Sequence, residues 1–206
     1  MDEETTSQAS SSPVMQNILL VGFMGCGKST IGRELHQVLG YPLIDSDEAI
    51  EQQAGKSIPD IFAQDGEASF RDLETQLLEN LIQNETQHTI ISTGGGIITN
   101  PANIPLLKQL GFVVWLACSP EVIFERTSRN SNRPLLQCDN PMELIHTLLD
   151  QRNPLYQEAS HLKINSSNLE IDELTCGILE SARYHFSAPN CPPLPQSSAC
   201  TARNRQ

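Results

Sequence analysis

Along the chain, short continuous apolar runs alternate with longer stretches whose apolar residues recur every three or four positions. The first run, Asn17–Val21 ("NILLV"), lacks polar alternation, as expected of a parallel strand covered on both faces. After "GFMGCG", the segment "KSTIGRELHQVLG" repeats Ile31, Leu35, Val38 and Leu39 at helical spacing and predicts a helix stopped at Gly40. Leu43-Ile44 predicts a brief strand with Asp45 and Asp47 at its C-terminal end. Helices follow over Ile58–Gln64 and Glu67–Asn84, the second with a stripe of Phe70, Leu73, Leu77, Leu78 and Leu81. "HTIISTGGGII" predicts a strand over 89–92 that runs into three glycines. A helix over Pro101–Leu110, with Pro101 at its first position, precedes the apolar strand "GFVVWLAC". Ser119–Arg129 predicts a helix, and "NSNRPLLQCDN" is polar and turn-prone. Pro141–Ala159 is helical with Pro154 kinking or interrupting it, "HLKIN" is the last strand and Glu170–Tyr184 the last helix.

Short strands alternating with helices imply an α/β layer fold built on a parallel sheet. Such sheets bind ligands beyond the C-terminal ends of their strands. The glycine loop, Asp45 with Asp47, and Gly94-Gly95-Gly96 all fall at predicted strand ends, so three features converge on one crevice.

The composition narrows the options. A chain of 206 residues with 38% hydrophobic and 5% aromatic residues suits one domain with a modest core. Runs such as "ILLV" are far shorter than the roughly 20 apolar residues of a membrane helix. Residues 1–13, "MDEETTSQASSSP", lack the basic start and apolar stretch of a signal peptide and are expected to be a disordered lead. Residues 187–206, rich in Pro and Ser, are expected to be a flexible tail, leaving a folded unit over 14–186. The six cysteines form no CxxC pair and no zinc pattern, so a reducing compartment is expected rather than a disulfide scaffold, with a bridge in the tail left open. A net charge of −12 disfavours general nucleic-acid binding. It leaves room for a small anion where arginines gather, as Arg126, Arg129, Arg133 and Arg152 do along the sequence.

"GFMGCGKS" fits G-x-x-x-x-G-K-[ST] between a predicted strand and a predicted helix. Its glycines let successive backbone N–H groups face a phosphate, and the following helix adds its positive end. The nucleotide-binding stretch is Gly25, Cys26, Gly27, Lys28, Ser29 and Thr30, with Lys28 on the β- and γ-phosphates and Ser29 on Mg²⁺. This motif leaves kinase, hydrolase and switch open.

On the acceptor side, one carboxylate of Asp45 and Asp47 can organise Mg²⁺ while the other orients a hydroxyl; a helix cap is the plainer reading of each. Arg71, Arg133 and Arg152 suit carboxylate or phosphate recognition, although Arg71 can equally pair with Glu74 one helical turn on. Arg133 precedes Pro134 in a segment that reads as a lid carrying charge to the nucleotide. Gly94, Gly95 and Gly96 permit close backbone approach to a substrate, or serve as a tight strand exit.

These pieces, "GFMGCGKSTIGRELH", "LIDSD", "IPDIFAQDGEASFRDLE", "STGGGI", "RTSRNSNRPLL" and "RNPLY", resemble the shikimate kinase family in order and spacing over about residues 16–185. The resemblance implies a three-layer P-loop fold like that of nucleoside monophosphate kinases. Its parts are a central five-stranded parallel sheet, a helical substrate-binding region at 46–75 and a mobile lid at 126–140. It implies phosphorylation of the 3-hydroxyl of shikimate by ATP with Mg²⁺, by a monomeric cytoplasmic enzyme without nucleic-acid or membrane partners. By position, Lys28 and Arg133 match residues on the transferring phosphate, and Ser29 and Asp45 match the Mg²⁺ site, Asp45 through water. Asp47 matches the residue that aligns the attacking hydroxyl. Arg71 and Arg152 match the holders of the shikimate carboxylate, the triple glycine lines that ligand, and Arg126 matches a residue over the adenine. "INSSNLEI" departs from the family's proline-containing adenine loop, and Cys26 stands where a small residue is common. Helix-start polarity is expected to lower the Cys26 thiol pKa, so that alkylation there blocks ATP.

Overall fold

The structure is a computed structural model that describes residues 16–128 and 140–187. Five parallel strands form one sheet: β1 (Asn17–Val21), β2 (Leu43–Asp45), β3 (Ile90–Ser92), β4 (Gly111–Ala117) and β5 (Leu162–Asn165). Their order across the sheet is β2-β3-β1-β4-β5. Among the described residues eight α-helices connect and cover them: α1 (Lys28–Leu39), α2 (Ser46–Ala54), α3 (Ile58–Gln64), α4 (Gly66–Gln83), α5 (Asn103–Leu110), α6 (Pro120–Ser128), α7 (Pro141–Ala159) and α8 (Ile171–Phe186). Among the described residues no helix is long and apolar enough to cross a membrane.

The continuous apolar runs are explained by the layers. Successive side chains of a strand point to opposite faces. Leu19 and Val21 of β1, Ile91 of β3, and Val113 and Trp115 of β4 enter a core closed by α2–α5 and α7. Ile18, Leu20, Ile90, Phe112, Val114 and Leu116 enter the other core, closed by α1 and α8. Each fully buried Leu or Ile contributes roughly 1.5–3 kcal/mol of transfer free energy. The edge strand β5 instead alternates half-buried and exposed positions.

Three details differ from expectation. Pro101 lies in a turn closed by Asn103 N–H to the Asn100 carbonyl (3.0 Å), and the helix begins only at Asn103. There the buried Asn103 side chain, tied to the Ile97 carbonyl (2.8 Å) and to Thr75 Oγ1 (2.8 Å), sets the first turn. Pro154 does not interrupt α7, which runs continuously through it. Cys26 and Cys118 are free thiols, whereas Cys176 on α8 is disulfide-bonded, which the expected reducing compartment does not call for, although the sequence leaves a single bridge open. The helix-cap reading of Asp45 holds: its side chain starts the helix over Ser46–Ala54.

One polar side chain ties the lower rim of the sheet. Asn17, fully buried, donates to the Thr86 carbonyl (2.7 Å) and the Leu110 carbonyl (2.8 Å) and accepts from Thr89 N–H (3.0 Å). Asn17→Ala strands these backbone groups away from water and is expected to lower unfolding free energy by about 2–4 kcal/mol. Denaturant titration checks this; a midpoint within error of the parent would contradict the role.

Candidate active site

The glycine-rich loop leaves β1 against β4. Gly22 has φ 142°, and a Cβ there would lie 2.5 Å from the Leu116 carbonyl oxygen, so only glycine allows the exit. Gly27, at φ 100°, precedes α1, whose N-terminus has no side-chain cap and opens into the cleft. Lys28 Nζ donates to the Gly22 carbonyl (2.7 Å) and the Phe23 carbonyl (3.0 Å), which places its ammonium inside the loop. At the loop's exit Ser29 Oγ donates to Asp45 Oδ2 (3.5 Å). The loop forms one wall of a cleft of about 460 Å³, whose other wall includes Asp45, Asp47, Gly94 and Gly95.

Register brings the second wall into place. Asp45 ends β2 directly opposite Ser92 at the end of β3, so both chains turn at the same level. Asp45 Oδ1 accepts from Asp47 N–H (3.1 Å), capping α2 and turning the Asp47 carboxylate inward. Ser46 Oγ accepts from Gly94 N–H (2.8 Å) and lies 3.5 Å from Asp47 Oδ1. A Cβ on Gly94 would lie 2.7 Å from Asp47 Oδ1 and 3.0 Å from Glu74 Oε1, so this glycine packs flat against two carboxylates. Burial raises the Asp47 pKa above the ordinary carboxylate range; the Asp45 charge adds to this, and the Lys28 ammonium opposes it.

Arg71 and Glu74 form the floor. Arg71 donates to Glu74 Oε2 (2.8 Å) and to Glu67 Oε1 (2.8 Å), while its guanidinium lies over Gly96 where a Cβ would collide with it. Burial works against the Arg71 charge, but its two carboxylate partners outweigh burial and raise its pKa. Glu74 is fully buried, and burial raises its pKa despite Arg71. Among the described residues its Oε1 and the Arg71 Nε, both buried, have no hydrogen-bond partner. From α7, Arg152 donates to the Gly95 carbonyl (3.4 Å) with its guanidinium 5.5 Å from the Phe23 ring centroid. At the far end Arg126 donates to the Gly25 carbonyl (3.2 Å) and the Ser166 carbonyl (3.4 Å), beside Leu169 and Ile171.

Of the residues singled out from sequence, Gly25 to Thr30, Asp45, Asp47, Gly94, Gly95 and Arg126 line the cleft. Arg71, Gly96 and Arg152 adjoin it through the triple glycine. Arg129 and Arg133, with residues 129–139 of the expected lid, lie outside the described residues. Cys26 differs from expectation. It is 1% exposed, packs in the core shared by α1 and α8, and has its Sγ 3.8 Å from Lys28 Nζ, so the thiol is not offered to an alkylating reagent. Glu74 was visible in sequence only as a partner for Arg71. Its further signal is its place on the buried stripe, four after Phe70 and three before Leu77. Ser46 and Tyr156 lie inside the quoted pieces "LIDSD" and "RNPLY" but have no role assigned there, because each meets the triple glycine only through the fold.

The family model described as shikimate kinase matches residues 24–183. A shikimate kinase from Acinetobacter baylyi is 43% identical over 165 residues, covering 80% of this chain and 91% of the relative. One from Burkholderia pseudomallei is 41% identical over 163 residues, covering 79% and 88%. The solved shikimate kinase from Acinetobacter baumannii in complex with shikimate superposes with a TM-score of 0.78 at 41% identity, covering 84% of this chain and 96% of that one.

The raised Asp47 pKa has a sign for stability. The folded protein binds a proton at Asp47 more readily than the unfolded chain, whose pKa is near 3.8. Its contribution is therefore most favourable below that value and is lost as pH rises through the raised folded pKa. Asp47→Asn removes this loss. The variant is expected to melt higher than the parent at pH 7, with the gap closing as pH falls toward 4; a gap independent of pH would contradict burial as the cause.

Proposed function

The chain belongs to the shikimate kinase family, and on that premise we propose how its own residues transfer the γ-phosphoryl group of ATP to the 3-hydroxyl of shikimate. It is an ATP-dependent kinase of aromatic amino-acid biosynthesis, and its products are shikimate 3-phosphate and ADP. The observation that carries the residue roles is the meeting of Asp47, Arg71 and Arg152 at the triple glycine, across one cleft from the glycine-rich loop.

Phosphoryl transfer needs little covalent help, so alignment and charge stabilisation dominate. The peptide N–H groups of the stretch Gly25 to Thr30, with the start of α1, receive the phosphates; those of Cys26 and Thr30 donate to the Phe23 (3.4 Å) and Gly27 (3.1 Å) carbonyls in the structure and turn from them to do so. Lys28 exchanges the Gly22 and Phe23 carbonyls for the β- and γ-phosphate oxygens. Asp47 aligns the 3-hydroxyl and accepts its proton at a carboxylate oxygen. Arg71 and Arg152 grip the planar shikimate carboxylate, with Gly94, Gly95 and Gly96 approaching by backbone. Glu74 fixes Arg71 in this pose. Arg126 lies over the adenine, and the exposed apolar residues Leu169 and Ile171 supply the contacts for which the family uses a proline-containing loop. Arg133, from the lid at 126–140, reaches the transferring phosphate. Residues 46–75, which span α2, α3 and the first half of α4, form the substrate region of a 14–186 unit between a 1–13 lead and a 187–206 tail.

Mg²⁺ belongs to the same proposal. Ser29 Oγ and Asp45 Oδ2 are hard oxygen donors 3.5 Å apart at the loop's exit. They suit a cation that takes one or two protein oxygens, directly or through water, and completes its shell with water and phosphate. Once bound it neutralises phosphate charge. A cytoplasmic monomer without nucleic-acid or membrane partners completes the reading, and the net charge of −12 supports the first of these exclusions.

The first test is ADP release from Mg·ATP with and without shikimate, with the product identified by mass and phosphorus NMR. Shikimate-dependent release of shikimate 3-phosphate is expected. Transfer to gluconate in preference to shikimate would overturn the acceptor assignment. Asp47→Ala is expected to lower kcat by about 10²-fold or more with the ATP KM little changed. An equal loss of ATP affinity would contradict its role.

A further inference from the structure

Tyr156 is completely buried on α7, and its hydroxyl donates to the Gly95 carbonyl at 2.5 Å. The ring stacks on Trp115 of β4, with centroids 5.7 Å apart and planes 23° apart. Arg152, four residues earlier and on the same helix face, reaches the same carbonyl at the longer distance of 3.4 Å. The neighbouring peptides are held differently. Gly94 N–H donates to Ser46 Oγ, the Gly94 carbonyl accepts from Ile97 N–H, and the Gly96 carbonyl accepts from Thr99 N–H. Among the described residues, the Gly95 carbonyl is held from α7 alone.

We infer that Tyr156 is a positioning residue for the acid substrate: by satisfying the Gly95 carbonyl, it frees the Arg152 guanidinium for the shikimate carboxylate and fixes the Gly95–Gly96 peptide. Three successive glycines have no side chains to restrain them and are the softest part of the cleft. A planar trans peptide whose carbonyl is clamped toward Tyr156 turns the Gly96 N–H to the opposite side. Without the phenol, the half-buried Gly95 carbonyl competes with the incoming carboxylate for Arg152, because Arg152 is the other donor that already reaches it. Burial also raises the phenol pKa, which keeps the hydroxyl a donor throughout the working range. The ring's stack on Trp115 and the hydroxyl's reach to Gly95 are separable, so the two functions can be tested apart.

The inference rests on the proposed role of Arg152. Tyr156→Phe keeps the stacked ring and removes the donor. It is expected to raise the shikimate KM by roughly 5–10-fold, the equivalent of one lost hydrogen bond, with the ATP KM within twofold of the parent and little change in melting temperature. Three results would overturn it: an unchanged shikimate KM, an equal rise in both KM values, or a variant that loses its fold. Arg152→Ala, measured alongside, separates the two ideas. If it leaves the shikimate KM unchanged, the Arg152 assignment fails. If it raises that KM while Tyr156→Phe does not, only the inference about Tyr156 fails.

Discussion

Strand β1 lies between β3 and β4 with both faces buried, and this confinement governs the rest of the molecule. Parallel pairing brings the C-terminal ends of β1, β2 and β3 to one rim. At that rim the backbone must turn with no room for side chains, as the approach of Gly22 to the Leu116 carbonyl shows. The loops that leave β1 and β3 are glycine-rich, and their peptide groups are left facing a shared cleft. The phosphate loop and the triple glycine are products of the same constraint on neighbouring strands.

Charge is arranged against this apolar background at a cost. Asp47, half-buried, and Glu74, fully buried, flank Gly94, and burial raises the pKa of each. Arg71 offsets part of that cost through its pair with Glu74, whose other carboxylate oxygen has no partner among the described residues. Buried ion pairs of this kind contribute little net stability, because desolvation consumes much of the Coulombic gain. Their consequence here is positional: Glu74 and Glu67 hold the Arg71 guanidinium over Gly96.

The substrate side is assembled from distant parts. Asp45 and Ser46 come from the end of β2, Arg71 and Glu74 from α4, and Arg152 and Tyr156 from α7. The triple glycine is their meeting point, contacted by Ser46 at Gly94, by α7 at Gly95 and by Arg71 at Gly96. A segment with no side chains thus takes its shape from its neighbours' polar groups, which makes the acceptor site sensitive to residues that touch no substrate.

Sequence alone determined the strands and most helices, because strands buried on both faces need continuous apolar runs and one-sided helices need an apolar stripe. It also determined the phosphate loop, whose chemistry is local: strand, glycines, lysine, serine and helix follow one another within a dozen residues. The misjudged points were those where a neighbour overrides local preference. Asn103 moved a helix start away from Pro101, packing carried α7 through Pro154, and the core took the Cys26 thiol. Only the tertiary structure decided that Glu74 lies against Asp47 across Gly94, and that Tyr156 reaches a carbonyl 61 residues away. Such contacts depend on strand order and helix docking, which bring together residues whose spacing along the chain carries no record of the meeting.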